Sequence, residues 1–251
     1  MLDAVIFDVD GTLAETERDG HRPAFNAAFR EFGLDWEWDV PMYGELLAVT
    51  GGKERMRAYC AKYRPDFLQR PDADATIAEL HKAKTLHYVR FMEQGTITPR
   101  PGVLRLIREL RSNGIRVAIA TTTTPENVDA LLATTLKDLP ADTFEVIGAG
   151  DIVPAKKPAP DIYTWVMEKL GLPASNCIAL EDSRNGVRSA VAAGLPVLVT
   201  QSTYTQGEDF SGSIAVLTDL GEPDAPCRAL SGQITDSNMV DLALLRRLHG
   251  A

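Results

Sequence analysis

The chain has 251 residues, 45% of them hydrophobic, and a formal net charge of −9. That length and apolar content support a well-buried core, and the acidic total argues against nucleic acid or an anionic membrane as a broad partner. An anionic ligand would need positive charge concentrated locally or carried by a metal ion.

Ala4 to Phe7 is a short apolar run closed by Asp8, the pattern of a buried strand. Asp10 follows two positions on, and Gly11 permits a sharp exit. From residue 15 to about 97 strand-like runs are absent. "HRPAFNAAFREFGL" has helical spacing of Ala24, Phe25, Ala28, Phe29 and Phe32, and "TIAELHKAKTLHYVRFM" repeats it through Ile77, Leu80, Leu86, Tyr88 and Met92. Lys84 and Arg90 on that second helix are expected at the surface, with an inward orientation of either as the alternative. This stretch reads as a mostly helical insertion.

From Arg100 the rhythm changes. "PGVLRLIRELRSNG" predicts a helix entered by Pro101 and stopped at Gly114. A strand "IRVAIATTTT", a helix "NVDALLATTL" and a strand "FEVIGAG" come next, then a helix "DIYTWVMEKLGL" and a strand "CIALED". The helix "NGVRSAVAAGL" and the strand "PVLVT" complete the series. Strands alternating with helices of this length imply an α/β fold with a doubly wound parallel sheet. After Leu220 the pattern is weak until the apolar stretch "MVDLALLRRL".

In such sheets ligands bind beyond the carboxyl ends of the strands. Those ends carry Asp8 and Asp10, then Thr121, then Lys156 and Lys157 in the loop before Pro158, and finally Glu181 and Asp182. So many acids at neighbouring ends need a cation among them, and hard oxygen donors suit Mg²⁺. A carboxylate beside such an ion can attack phosphorus. A second carboxylate two residues on can protonate the leaving oxygen and later deprotonate water. Thr121 and the backbone N–H groups of Thr122 and Thr123 are candidates to hold phosphoryl oxygens. The bland alternatives are an Asp-Gly turn at residues 10 and 11, a solvated lysine pair, and an N-cap made by Glu181 or Asp182.

"DVDGT", "VAIAT", "KKPAPD" and "LEDS", in that order, resemble the four motifs of the haloacid dehalogenase superfamily of phosphotransferases. "DVDGTLAETERDGHRPAFNAAF", "VTGGKER", "IATTTTPENV" and "GDIVPAKKPAPDIY" resemble the CbbY family within it. The resemblance implies a Rossmann-like core, residues 1–14 and 98–251, with a helical cap over residues 15–97. It implies Asp8 as nucleophile, Asp10 as acid and base, Thr121 as the phosphoryl-binding hydroxyl and Lys157 as the neutralising lysine. Asp8, the Asp10 carbonyl and Asp182 are the implied Mg²⁺ ligands, with Glu181 as near neighbour. The implied activity is hydrolysis of xylulose-1,5-bisphosphate, a Rubisco inhibitor. β-Phosphoglucomutases share the cap, but His21 lies about one residue from their histidine, which speaks against a mutase-like role for it. Many capped relatives have Asp where Glu15 stands.

In the cap, Thr50, Gly51, Gly52 and Lys53 form a turn entering a helix, a place where N–H groups attract anions, with Arg55 nearby. We expect this turn to grip a second phosphate while Glu17 and His21 reach sugar hydroxyls. Rival readings are a phosphosugar mutase, a phosphosugar-sensing protein without catalysis, a metal-free dehalogenase and a glycosyltransferase using its DxD. Cys60, Cys177 and Cys227 are scattered without a CxxC, so a reducing compartment is expected. With a strand beginning by Ala4 and no long apolar run, the expectation is a cytoplasmic monomer with no signal peptide, nucleic acid or membrane partner.

Overall fold

The computed structural model describes residues 1–232, 234 and 238–250. The expected core segment 98–251 therefore includes a few positions outside the described residues. The sheet has seven strands, β1 (Ala4–Phe7), β2 (Arg116–Ala120), β3 (Val146–Gly148), β4 (Cys177–Glu181), β5 (Val197–Thr200), β6 (Ala215–Leu217) and β7 (Ala229–Gly232). Their order is β3-β2-β1-β4-β5-β6-β7, and every pair is parallel except β6 with β7. The antiparallel edge was not expected from sequence: β6 is three residues long, and all four residues of β7 are exposed.

Alternation along the strands assigns the two faces. Val5, Phe7, Ile119, Leu180 and Leu198 pack with α6 (Val103–Ser112), α7 (Pro125–Thr134) and α10 (Leu242–His249). Ala4, Ile6, Ala120, Ala179 and Val199 pack with α8 (Asp161–Leu170) and α9 (Arg184–Ala192). Helix α6 buries Val103, Leu106, Ile107 and Leu110, one apolar stripe at helical spacing. Each such side chain contributes about 1.5–3 kcal/mol by leaving water.

Between β1 and β2 run α1 (Arg22–Glu31), α2 (Val40–Leu46), α3 (Gly52–Tyr63), α4 (Pro65–Leu68) and α5 (Ala73–Glu93). They close over a core of their own, with Phe25, Phe29, Trp38, Tyr43, Met56, Ile77 and Leu80 all fully buried. Phe32 ends α1 as its C-cap and is 38% exposed, and Leu86 is 54% exposed, so neither joins the predicted apolar stripe. The stripe of α5 is instead Ile77, Leu80, Ala83, Lys84, Tyr88 and Met92. Lys84 occupies an inward position that its residue type does not announce, whereas Arg90 is exposed as expected.

Candidate active site

In the order 2-1-4 the chain reverses direction of winding between β1 and β4, so a crevice opens beyond their carboxyl ends. Phe7 pairs with Leu180 in the ladder, which sets Asp8 beside Glu181 and Asp182. One oxygen from each of these three carboxylates lies within 4.8 Å of the others, and all three residues are buried. Lys157 enters from the loop before α8. Its Nζ donates to Asp8 Oδ1 at 2.7 Å, to Glu181 Oε1 at 2.6 Å and to the Ala120 carbonyl at 2.9 Å. Tyr163 on α8 also donates to Glu181 Oε1, at 2.6 Å.

One lysine does not balance three acids. Burial pushes the Asp8 carboxyl up to about 8, with Glu181 and Asp10 adding to the rise and Lys157 opposing it. Burial, with Asp8 and Glu181, also raises Asp182 well above the carboxylate range. A small divalent cation beside Asp8 and Asp182 would relieve this, and a set made only of oxygen donors fits Mg²⁺. Glu181 is already engaged by Lys157 and Tyr163. The backbone is shaped to the same cluster: an added Cβ at Gly11 would stand 2.0 Å from Asp182 Oδ2, and at Gly186 1.9 Å from Glu181 Oε2. The N-cap of α9 is Ser183, which accepts from Gly186 N at 3.1 Å, so the capping role considered for Glu181 or Asp182 falls to their neighbour.

Asp10 turns its carboxylate away from this group. Its Oδ1 accepts from the Thr16 hydroxyl and from His21 Nε2 at 2.8 Å. Lys84 Nζ donates in turn to His21 Nδ1 at 2.7 Å. Burial opposes ionisation of Asp10, but His21, Thr16 and Lys84 together hold it down at about 2. His21 closes a single π-helical turn, Glu17–His21, just before α1, and its imidazole reaches Asp10.

Two adjoining cavities meet here. The smaller, about 90 Å³, is lined by Asp8, Asp10, Thr121, Lys157 and Asp182. The larger, about 480 Å³, is lined by Lys53, His81, Lys84 and Lys156 together with Thr122, Thr123 and Thr124. Asp10, Glu17, Arg55 and Thr122 border both. Gly51, with φ +96°, forms the N-cap of α3 at the larger cavity's wall.

Residues 2–194 match the profile of the haloacid dehalogenase-like hydrolases. The chain belongs to this family. It is 53% identical to protein CbbY of Rhodobacter capsulatus over 87% of this chain and 94% of that one. It is 46% identical to the plasmid CbbY protein of Cupriavidus necator, over 99% and 97%. A crystal structure of a CbbY variant from Rhodobacter sphaeroides, in complex with xylulose-(1,5)bisphosphate, superposes with a TM-score of 0.80 at 45% identity, covering 87% of this chain and 95% of that one. A β-phosphoglucomutase from Clostridium difficile shares the fold, at 18% identity and a TM-score of 0.71. This haloacid dehalogenase-like hydrolase is a phosphatase, a hydrolase of phosphoric monoesters.

The hydrolase thus brings Asp8, Asp10, Thr121, Lys157, Glu181 and Asp182 to one crevice, while the Asp10 carboxylate stands outside the three-acid cluster. Thr121 is buried, with its Oγ1 accepting from Thr123 N at 3.2 Å. Glu17 lies between the cavities and accepts from the Tyr43 hydroxyl. Thr50 accepts from Asn185 Nδ2 at 3.1 Å, a contact from the insertion to α9. Lys53 Nζ is paired with Asp151 at 3.0 Å, and Lys156 with Glu54 and Asp151 at 3.1 Å each. Arg55 is buried and donates to the Tyr43 hydroxyl at 2.8 Å. Sequence reasoning missed Lys84, Tyr43, His81 and Tyr163. Only Lys84 carried a signal, a charge at a position where the helical period of α5 calls for an apolar residue. Cys60, Cys177 and Cys227 are free and buried, and no helix among the described residues is long and apolar enough to cross a membrane.

Proposed function

We propose that this phosphatase hydrolyses a sugar bisphosphate, xylulose-1,5-bisphosphate in particular, and so removes the Rubisco inhibitor that its family resemblance implies. The observation that carries the reading is the pairing of cavities. An acid-lined chamber adjoins a chamber walled by Lys53, Lys84 and Lys156. One phosphate is cleaved in the first while the second is neutralised in the other. The bound xylulose-(1,5)bisphosphate of the Rhodobacter sphaeroides relative supports the same substrate here.

In this reading Asp8 attacks phosphorus, the bond to the sugar oxygen breaks, and Asp10 gives that oxygen a proton. Water then attacks the aspartyl-phosphate while Asp10 takes its proton, which restores Asp8 and releases inorganic phosphate. Asp10 at rest is ionised; the arriving phosphate charge raises its proton affinity, so that it takes up from solvent the proton it then gives to the sugar oxygen. Lys157 aims Asp8 and neutralises charge on both sides of the transfer. Mg²⁺, when held by Asp8 and Asp182, supplies further charge against the phosphoryl oxygens. Thr121 orients those oxygens. The helical segment 15–97 acts as a cap on a core of 1–14 and 98–251, and the enzyme works as a cytoplasmic monomer.

The contact of His21 with Asp10 favours keeping a phosphosugar mutase as the second reading, because it sets an imidazole against the carboxylate that would exchange protons with the sugar. A phosphate-release screen separates the two. Pentose bisphosphates, pentose monophosphates and glucose phosphates are each incubated with Mg²⁺ or with EDTA. Inorganic phosphate appearing in step with loss of xylulose-1,5-bisphosphate supports the phosphatase, whereas an isomer formed without phosphate release supports the mutase.

A further inference from the structure

Arg100 stands on the segment that returns from the cap, just before α6, and has no part in the chemistry above. It is 7% exposed in a chain that carries an excess of acid, and five of its neighbours are hydrogen-bond acceptors. Nη1 donates to the Gly11 carbonyl, to the Thr200 carbonyl at 2.9 Å and to Thr200 Oγ1 at 3.2 Å. Nη2 donates to the carbonyls of Gln201 at 2.7 Å and Thr218 at 2.8 Å. Nε lies 3.6 Å from Glu15 Oε1. One planar fork therefore gathers the turn after β1, the ends of β5 and β6, and the outgoing linker to the cap. A lysine, with a single nitrogen, does not reach four chain segments at once.

The same place is the pivot of the insertion. Ala14 bridges to Pro99, and Arg100 N donates to the Leu13 carbonyl at 3.0 Å, so the outgoing and returning linkers run side by side. Glu15, facing the guanidinium, also accepts from Thr203 N at 3.3 Å. Thr203 follows Ser202, which lines the smaller cavity. Gly11, whose carbonyl accepts from Nη1, leaves no room for a methyl group beside the Asp182 carboxylate.

We infer that Arg100 is a positioning residue: it clamps the Gly11 turn and both cap linkers to the carboxyl end of the sheet, and so sets where Asp182 stands and how the cap is hinged. This rests on the acid cluster being the reaction centre but not on which sugar is used. Arg100 acts through the Gly11 carbonyl and Glu15, not on the substrate.

The test uses the full-length enzyme with Arg100→Lys and Glu15→Gln, and p-nitrophenyl phosphate as substrate. Mg²⁺ binding to substrate-free protein is followed by calorimetry and the melting midpoint in parallel. For Arg100→Lys we expect kcat to fall on the order of 10²-fold, the penalty of a small misplacement, with KM little changed. Mg²⁺ affinity should weaken by roughly 10–100-fold, as for other residues that orient metal ligands from behind. Glu15→Gln should move both quantities in the same direction by less, and it carries the test if Arg100→Lys does not fold. Wild-type kcat and Mg²⁺ affinity in the folded variants, with only a lower melting midpoint, would reduce Arg100 to a structural brace and overturn the proposal. Asp8→Asn is the control for the site itself: activity retained there removes the reaction centre whatever Arg100 does.

Discussion

Lys157 beside the sheet and Lys84 on α5 are equally hidden, at 5% and 4% exposure, yet their proton affinities move in opposite directions. Lys157 meets two carboxylates, Asp8 and Glu181, and although burial opposes its charge they raise its proton affinity above the ordinary lysine value. Lys84 meets the Nδ1 of His21 and lies 5.2 Å from the Phe25 and Tyr88 ring centres. Burial lowers it to about 8, and the more distant acids Glu17 and Asp10 do not make up the loss. Desolvation is common to both sites, so the partner in contact decides the outcome. Lys157 is locked in its charged form, whereas Lys84 holds a proton it can surrender near physiological pH.

The largest effect that bears on this contrast is expected from Asp8→Asn, which keeps the shape of the Lys157 partner and removes the proposed nucleophile. Turnover of every phosphomonoester should vanish while the melting midpoint stays near that of the wild type; a circular-dichroism melt beside a phosphate-release assay reads both. Lys157→Met comes next. It strands two buried carboxylates, so about 3–5 kcal/mol of stability should be lost along with activity, measured by urea unfolding. Stability unchanged in Lys157→Met would mean that the acids, not the lysine, adjust to burial.

Lys84→Met sharpens the other half. The fall of Lys84 from near 10.5 to about 8 amounts to about 3 kcal/mol of opposition to folding at neutral pH. Below pH 8 both folded and unfolded chains hold this proton, and the opposition is complete. Between pH 8 and 10.5 the unfolded chain binds it more, so this residue's contribution makes the wild type gain stability with rising pH. The difference in urea midpoint between wild type and Lys84→Met should therefore narrow across that window. A gap that stays constant would show that Lys84 is not titrating there. Activity should also drop, because Asp10 loses the charge relayed through His21. The smallest effect is Lys53→Ala, at a rim already neutralised by Asp151. We expect loss of one charge-assisted contact, on the order of tenfold in kcat/KM for xylulose-1,5-bisphosphate, with p-nitrophenyl phosphate little affected. Equal losses on both substrates would break the assignment of the second chamber to a second phosphate.

The same two lysines explain what could be read in advance. Lys157 was legible because a parallel sheet collects the carboxyl ends of its strands at one edge: residues 8, 10, 121, 181 and 182 fall at or just beyond those ends, and Lys157 lies in the loop that leaves β3 at the same edge. Strand position brings the acids and Thr121 together, and that loop adds the lysine. Lys84 sits mid-helix in a segment where several faces are apolar, and only tertiary packing selects which face closes on the crevice. The same holds for Tyr43 and Arg55, which reach Glu17 from two different helices. The contact of His21 with Asp10 was not legible, because it depends on the π turn Glu17–His21, which residue spacing does not announce. β6 and β7 escaped notice because three- and four-residue strands give too few alternations to register against loop sequence.

Gly186, the third residue of α9, stands in the volume limit of Glu181. Replacing it with alanine would add neither charge nor polarity. The methyl group would still evict the carboxylate that shares Lys157 with Asp8, leaving the ammonium to a single acid and Tyr163 without an acceptor. A change that is steric in kind would thus be felt as an electrical fault one residue away from Asp182. At such a position hydropathy and formal charge are blind to the damage, and the only quantity that foretells it is free space.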